Sequence, residues 1–207
     1  MMESRSMLQQ IYSNLLRNRI RLSFIVFAFL LFEDFIEGIR PHNIDSFQDL
    51  WGFTGLLLVV GGVSLRSWAA GIIKKSDSLA TTGPYYLTRH PLYIGSLLMA
   101  IGFCNIIGDG ENIWAVFGIA LIVYFPTIRK EELYLAQKFG EEWNRYTQHT
   151  SIFFPKRLPL NLHSNWSLRQ WLHNKEYNAF ASSLVVLVIL ELLHEFPILE
   201  SLMATIR

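Results

Sequence analysis

The sequence predicts an all-α fold, a polytopic membrane bundle of about five transmembrane helices with a cytoplasmic helical extension and an interfacial helix. Three observations carry this. The chain of 207 residues is 51% hydrophobic and 14% aromatic but only 17% charged, with a mean hydropathy of +0.27. Lipid-facing helices need few charges, whereas a soluble domain needs many. Apolar runs approaching the roughly 20 residues that span a bilayer recur along the chain. Basic residues gather in alternate connecting segments, as the positive-inside bias requires.

The first span runs from about Leu22 to Ile39, apolar to Phe32 and then acidic at Glu33, Asp34 and Glu37. The second, about Leu50 to Ile72, is rich in Gly (Gly52, Gly55, Gly61, Gly62) and carries Arg66 near its end. The third runs from about Pro91 to Ile107, the fourth from about Ile113 to Ile128 with Pro126 near its end, and the fifth from about Ala179 to Phe196. The short link Gly108-Asp109-Gly110-Glu111-Asn112 forces the third and fourth into an antiparallel hairpin.

Orientation follows from the flanks. Arg5, Arg17, Arg19 and Arg21 precede the first span, and Lys74, Lys75 and Arg89 lie between the second and third. Arg129, Lys130, Lys138, Arg145, Lys156, Arg157, Arg169 and Lys175 lie between the fourth and fifth. The opposite loops hold chiefly Arg40 against Asp45, Asp49, Asp109 and Glu111. The expectation is a cytoplasmic N-terminus, with both polar clusters described below facing the cytoplasm.

From Thr127 to Thr147 a charged helix extends the fourth span beyond the membrane. Phe139, Trp143 and Tyr146 give it an apolar stripe, and Gly140 interrupts it. A loop through Phe153-Phe154-Pro155 and Leu158-Pro159-Leu160 follows. Asn165 to Leu172 then reads as a short amphipathic helix with interfacial Trp anchors. The chain divides into an N-terminal two-span anchor (1–72), a core (73–155), and the interfacial helix with the fifth span (156–207).

Several function classes drop out. A net charge of +1 says nothing about nucleic acid, but no basic block rises above the scatter, so no nucleic-acid partner is expected. The single cysteine, Cys104, sits in an apolar run, where it forms no intrachain disulfide, supplies no cysteine metal cluster and serves as a small core hydrophobe. The first apolar run lacks a small-residue cleavage site, so no cleavable signal peptide is expected. The terminal Ala-Thr-Ile-Arg is no prenylation box. No Gly-x-Gly-x-x-Gly and no Gly-x-Ser-x-Gly elbow occur. No His-x-x-x-His or His-x-x-Glu pair lies near the polar clusters, so no metal is expected. Ser96 reads as a small packing residue.

The chemistry gathers in Thr81-Thr82-Gly83-Pro84-Tyr85-Tyr86-Leu87-Thr88-Arg89-His90-Pro91-Leu92-Tyr93-Ile94-Gly95 and in Arg129-Lys130-Glu131-Glu132. Gly83-Pro84 marks a turn. Pro91 suits the first position of a helix, which leaves His90 at or beside its cap. A helix N-terminus favours an anion such as a ligand carboxylate. Arg66, about six residues inside its span, is either paired structurally or a substrate contact.

With Phe139-Gly140-Glu141-Glu142-Trp143-Asn144-Arg145-Tyr146 downstream, these motifs resemble the isoprenylcysteine carboxyl methyltransferase family and the related phospholipid methyltransferases. The resemblance covers about Gly71 to Pro155. It implies a membrane-embedded methyltransferase that uses S-adenosylmethionine without a Rossmann domain. It further implies cofactor contacts at Tyr85, His90, Leu92, Tyr93 and Glu131, with backbone contacts to the adenosine from the strand-like Ser78-Leu79-Ala80. Arg129 falls where many members keep an arginine near the acceptor, and with Arg66 it is the candidate for binding that acceptor. The implied acceptor is lipophilic and membrane-resident: an isoprenylcysteine carboxylate, a phospholipid amine, or a small hydrophobic thiol or acid. A carboxylate acceptor needs no base; an amine or thiol would call on His90 or Glu132. The alternatives are an NADPH-dependent membrane reductase related to sterol reductases, which carry a similar Arg-His-Pro arrangement, and a non-enzymatic membrane scaffold. The first is disfavoured by chain size, the second by polar residues clustered at one face rather than through the midplane.

Overall fold

The computed structural model describes residues 29–195 apart from positions 31, 35, 75, 76 and 157–161. The described residues form an all-helical membrane bundle. α1 spans Leu50–Ala70, α2 Pro84–Leu87, α3 Pro91–Ile107 and α4 Asn112–Ile119. A π-helical turn, Ala120–Tyr124, leads into α5, Phe125–Phe139. α6 spans Glu141–His149, α7 Leu168–His173 and α8 Tyr177–Glu195.

Among the described residues three helical stretches are long and apolar enough to cross a bilayer: Leu50–Ala70, Asn112–Phe139 and Tyr177–Glu195; α3 is apolar but shorter. The expected second to fifth spans therefore all exist as helices. Of the first, helix is described within 29–37, while Leu22 to Ala28 lie outside the described residues, as do Arg5, Arg17, Arg19, Arg21, Lys75, Arg157, Leu158-Pro159-Leu160 and Phe196. The interfacial helix is shorter than expected, because Ser167 rather than Asn165 caps it, its hydroxyl accepting from Gln170 N at 3.4 Å. Ser78-Leu79-Ala80 is irregular chain rather than strand.

α1 and α3 make the principal contact of the bundle. They run antiparallel along a seam of glycines seven residues apart, Gly55 and Gly62 on one helix against Gly102 and Gly95 on the other. A Cβ on Gly55 would lie 2.7 Å from the Gly102 carbonyl oxygen, and one on Gly62 would lie 2.5 Å from that of Gly95. Backbones approach this closely only where neither helix carries a side chain, as in other membrane helix pairs built on small residues. Val59, Phe103, Ile106, Ile107 and Leu190 fill the core beside the seam. Leu57, Val60, Leu121, Ile122, Val185 and Val188 face outward, the apolar belt a bilayer covers.

α4, the π turn and α5 form one continuous rod from Asn112 to Phe139. Pro126 lacks an N–H, and the wide turn just before it accommodates the interrupted ladder. Beyond the membrane half the rod becomes polar and ends at Gly140, whose φ of +49° suits glycine. α6 folds back from there and buries Trp143.

Candidate active site

The site forms where the start of α3 meets the polar half of α5. α2 is a single turn, and its Thr88 cap is held by residues beyond α6: the Thr88 hydroxyl donates to Ile152 O at 2.5 Å, and Arg89 N donates to Ser151 O at 2.9 Å. This clasp fixes Arg89 and His90 immediately before Pro91. His90 is the residue preceding the helix proper, with φ −128° and ψ 56°, and its side chain makes no capping bond. The ring is therefore free to face α5, where Nε2 lies 3.3 Å from Glu132 Oε1. Arg89 Nε approaches the same oxygen to 3.2 Å, an ion pair rather than a directed hydrogen bond, and its guanidinium stacks 5.7 Å from the Trp143 ring centroid.

One turn on, the Tyr93 hydroxyl donates to Glu131 Oε2 at 3.2 Å. Tyr93 also packs edge-on against His90 and against Tyr124 from the π turn. His90 is 5% exposed. Burial lowers its pKa from 6.5, against the opposing pull of Glu131 and Glu132. Burial thus favours the neutral imidazole. In the tautomer whose Nε2–H points at Glu132, Nδ1 is left as a lone-pair acceptor.

Tyr85 is 4% exposed, and its hydroxyl has no hydrogen-bond partner among the described residues. Burial raises its pKa well above 10, with Tyr146, Glu131 and Glu176 adding to the effect and Arg66 opposing it. A buried, unsatisfied phenol beside these charged groups is one that a ligand would satisfy. The Tyr85 backbone is held from the other side, its carbonyl accepting from the Tyr146 hydroxyl at 2.7 Å.

Arg66 is fully engaged within the protein. Nε and Nη2 donate to Glu176 Oε1 and Oε2 at 2.7 and 3.0 Å, a bidentate pair, while Nη1 reaches Leu92 O at 3.3 Å and the Ser96 hydroxyl. Leu92 thus enters the site through its carbonyl, and Ser96 is a hydrogen-bonding residue rather than packing alone. Arg129 stands apart: it is exposed and pairs with no carboxylate among the described residues. The arginine inside the cluster is Arg89.

Ser78, Leu79 and Ala80 line a cavity of about 1000 Å³ between the chain after α1 and the segment leading into α7. None of Tyr85, His90, Tyr93 or Glu131 belongs to that wall. Among the described residues no group of three or more His, Cys, Asp or Glu could hold a metal ion.

Sequence reasoning missed Glu176 and Tyr146. Glu176 reads as an ordinary charge before a span, 110 residues from Arg66. Tyr146 reads as one ring of an apolar stripe. Only an unbalanced arginine inside the second span signalled that a carboxylate partner was needed.

A family model described as "Phospholipid methyltransferase" matches residues 51–142, which holds α1 to α5 and every residue of the His90–Glu132 cluster. The chain is 37% identical over 122 residues to the cobalt-zinc-cadmium resistance protein CzcN of Cupriavidus metallidurans, covering 55% of this chain and 56% of that protein. It is 31% identical over 152 residues to the nickel-cobalt-cadmium resistance protein NccN of Alcaligenes xylosoxydans xylosoxydans, covering 70% and 68%. It is 30% identical over 104 residues to the protein-S-isoprenylcysteine O-methyltransferase of Schizosaccharomyces pombe, covering 50% and 42%. The match thus spans about half the length of two of these relatives. No solved structure matches.

Proposed function

Because this chain belongs to the family of isoprenylcysteine and phospholipid methyltransferases, we propose that it transfers a methyl group from S-adenosylmethionine to a lipophilic acceptor resident in the membrane. The observation that carries the reading is the junction of α3 and α5. Two carboxylates, Glu131 and Glu132, converge there on buried His90, the Tyr93 hydroxyl and a helix start.

The residues fit this donor. S-adenosylmethionine brings a methyl on a sulfonium, an ammonium and a carboxylate. Glu131 is the carboxylate we assign to the ammonium or the ribose hydroxyls, and Tyr93 and Tyr85 are the rings we assign to the cation. The unsatisfied Tyr85 hydroxyl is the orphan polar group expected of a pocket that a ligand completes. The start of α3, with Leu92 and Tyr93 in its first turn, suits the carboxylate. We assign the neutral adenosine to Ser78 to Ala80, which line the cavity beside the chain after α1.

For a carboxylate acceptor the protein's work is positioning, since the nucleophile is already charged. For an amine, His90 Nδ1 is the group able to take the proton while Glu132 steadies Nε2–H. Arg129, three residues before Glu132 on α5 and unpaired among the described residues, is the cation available to an incoming anionic head group. Arg66 acts through its hold on Leu92 and Ser96. We place the site on the cytoplasmic face, the N-terminus inside, residues 73–155 as the catalytic core and 1–72 as its anchor.

Isothermal titration of the detergent-purified chain with S-adenosylhomocysteine tests this, with NADPH as the comparison ligand. Saturable S-adenosylhomocysteine binding, lost in Glu131→Gln and weakened in His90→Ala, is the expected result. NADPH binding in its place overturns the reading.

A further inference from the structure

We propose that Glu176 is a positioning residue for the methyl-donor site: through Arg66 it fixes the first turn of α3 and cancels a positive charge that would repel a sulfonium. The proposal rests on the methyltransferase reading above. Glu176 lies outside residues 51–142, the part that the family model matches, so here the segment leading into α8 reaches into the family core.

Arg66 crosses from α1 to α3 where α3 carries no side chain. A Cβ on Gly95 would lie 2.5 Å from Arg66 Cγ, so the bare backbone of Gly95 lets the arginine stem pass. Beyond it the guanidinium divides its donors. Nε and Nη2 face Glu176, and Nη1 turns to Leu92 O and the Ser96 hydroxyl. Leu92 stands two residues after His90 and one before Tyr93, so the bond to its carbonyl steadies the turn that aims both rings at Glu132 and Glu131. Glu176 is delivered by a backbone that few side chains tolerate. Lys175 before it has φ +56°, the one non-glycine residue with positive φ among the described residues. Such a conformation persists only where the surroundings enforce it, and it gathers at functional positions.

A guanidinium keeps its charge in any protein environment. Arg66 without Glu176 would therefore leave a unit positive charge beside the start of α3, which already carries partial positive charge. The field of the pair reaches the site at Tyr85: beyond the dominant effect of burial, Glu176 pushes the phenol's pKa up and Arg66 pulls it down. S-adenosylmethionine differs from S-adenosylhomocysteine by one methyl group and one positive charge on sulfur. A charge uncovered at Arg66 acts on the first and spares the second. A role confined to holding helices together would weaken both alike.

The full-length detergent-purified protein is titrated with S-adenosylmethionine and, separately, with S-adenosylhomocysteine, and the melting temperature of each variant is recorded. Acting over about 10 Å at an effective dielectric of about 20, an unbalanced unit charge changes a cation's binding roughly ten-fold. The Arg66 side chain is 21% exposed, so solvent screens part of this. Glu176→Gln is expected to weaken S-adenosylmethionine about three- to ten-fold more than S-adenosylhomocysteine. Glu176→Asp, which keeps the charge, should hold the wild-type ratio of the two affinities. Arg66→Met/Glu176→Leu, which removes both charges, should restore that ratio even where both affinities drop. Arg66→Gln uncovers the opposite charge and should shift the ratio the other way, so either single variant decides if the other does not fold. Wild-type protein that binds both ligands, with a ratio that none of the variants moves, overturns this proposal and leaves the methyltransferase reading standing. Wild-type protein that binds neither overturns both.

Discussion

Glu176→Ala removes one half of the buried pair that ties α1, α3 and the start of α8 together. Glu176 receives two charge-assisted hydrogen bonds from Arg66, at 2.7 and 3.0 Å, and its side chain is 7% exposed. Stripping one partner from such a pair costs about 3–5 kcal/mol when the remaining charge is left buried and uncompensated. Here the penalty is smaller, because the Arg66 side chain is 21% exposed and Nη1 keeps Leu92 O and Ser96. We expect about 2–3 kcal/mol, which for a chain of this size lowers the melting temperature by roughly 4–12 °C. Glu176→Gln retains an acceptor and should lose about half as much. A double-mutant cycle with Arg66→Met, followed by thermal melting in detergent, isolates the pair. Arg66→Met/Glu176→Leu should regain most of the loss, since an apolar pair leaves no orphaned charge. A Glu176→Ala protein melting within about 2 °C of wild type, or a coupling energy below about 0.5 kcal/mol, would refute the reasoning.

Neighbouring glycines should behave oppositely. Gly62→Ala drives a methyl to 2.5 Å from Gly95 O and should cost about 2 kcal/mol or more by parting α1 from α3. Gly61→Ala meets nothing within 4 Å and should stabilise α1 by up to about 1 kcal/mol. Melting curves of the two variants decide. His90, its pKa lowered by burial from 6.5, contributes stability that is present in full above 6.5 and lost as pH falls through the lowered folded value. Melting temperature followed between about pH 7 and pH 5 should fall less steeply in His90→Gln than in wild type. Tyr146→Phe deletes the 2.7 Å bond to Tyr85 O and should cost about 1 kcal/mol, visible as a modest loss of melting temperature.

The spans were legible because lipid imposes a simple rule on composition, and Pro91 and Pro84 announced the helix starts they occupy. The meeting of His90 and Tyr93 with Glu131 and Glu132 was legible as a coincidence of two polar clusters on one membrane face. What linked them was not. Thr88 and Arg89 are held by Ser151 and Ile152 through backbone atoms that carry no residue signature. Glu176 has no periodic relation to Arg66. The outward turn of Arg129 depends on the phase of a helix whose irregularity no propensity marks, so membership of a basic-acidic run could not tell it from Glu131.

The same irregularity aims the carboxylates. The turn Ala120–Tyr124 fits one residue more than an α-helix would into the same path. Tightened to ordinary α-helix with every residue kept, Asn112–Phe139 would become one uninterrupted α-helix. Everything from Phe125 onward would then swing by about 100° and advance about 1.5 Å. Glu131 and Glu132 would be carried off Tyr93 and His90 although no side chain in the site had changed. In this rod the wide turn acts as a phase setting: Leu121 and Ile122 point outward from the bundle, while the width of the turn they belong to decides which way the carboxylates look.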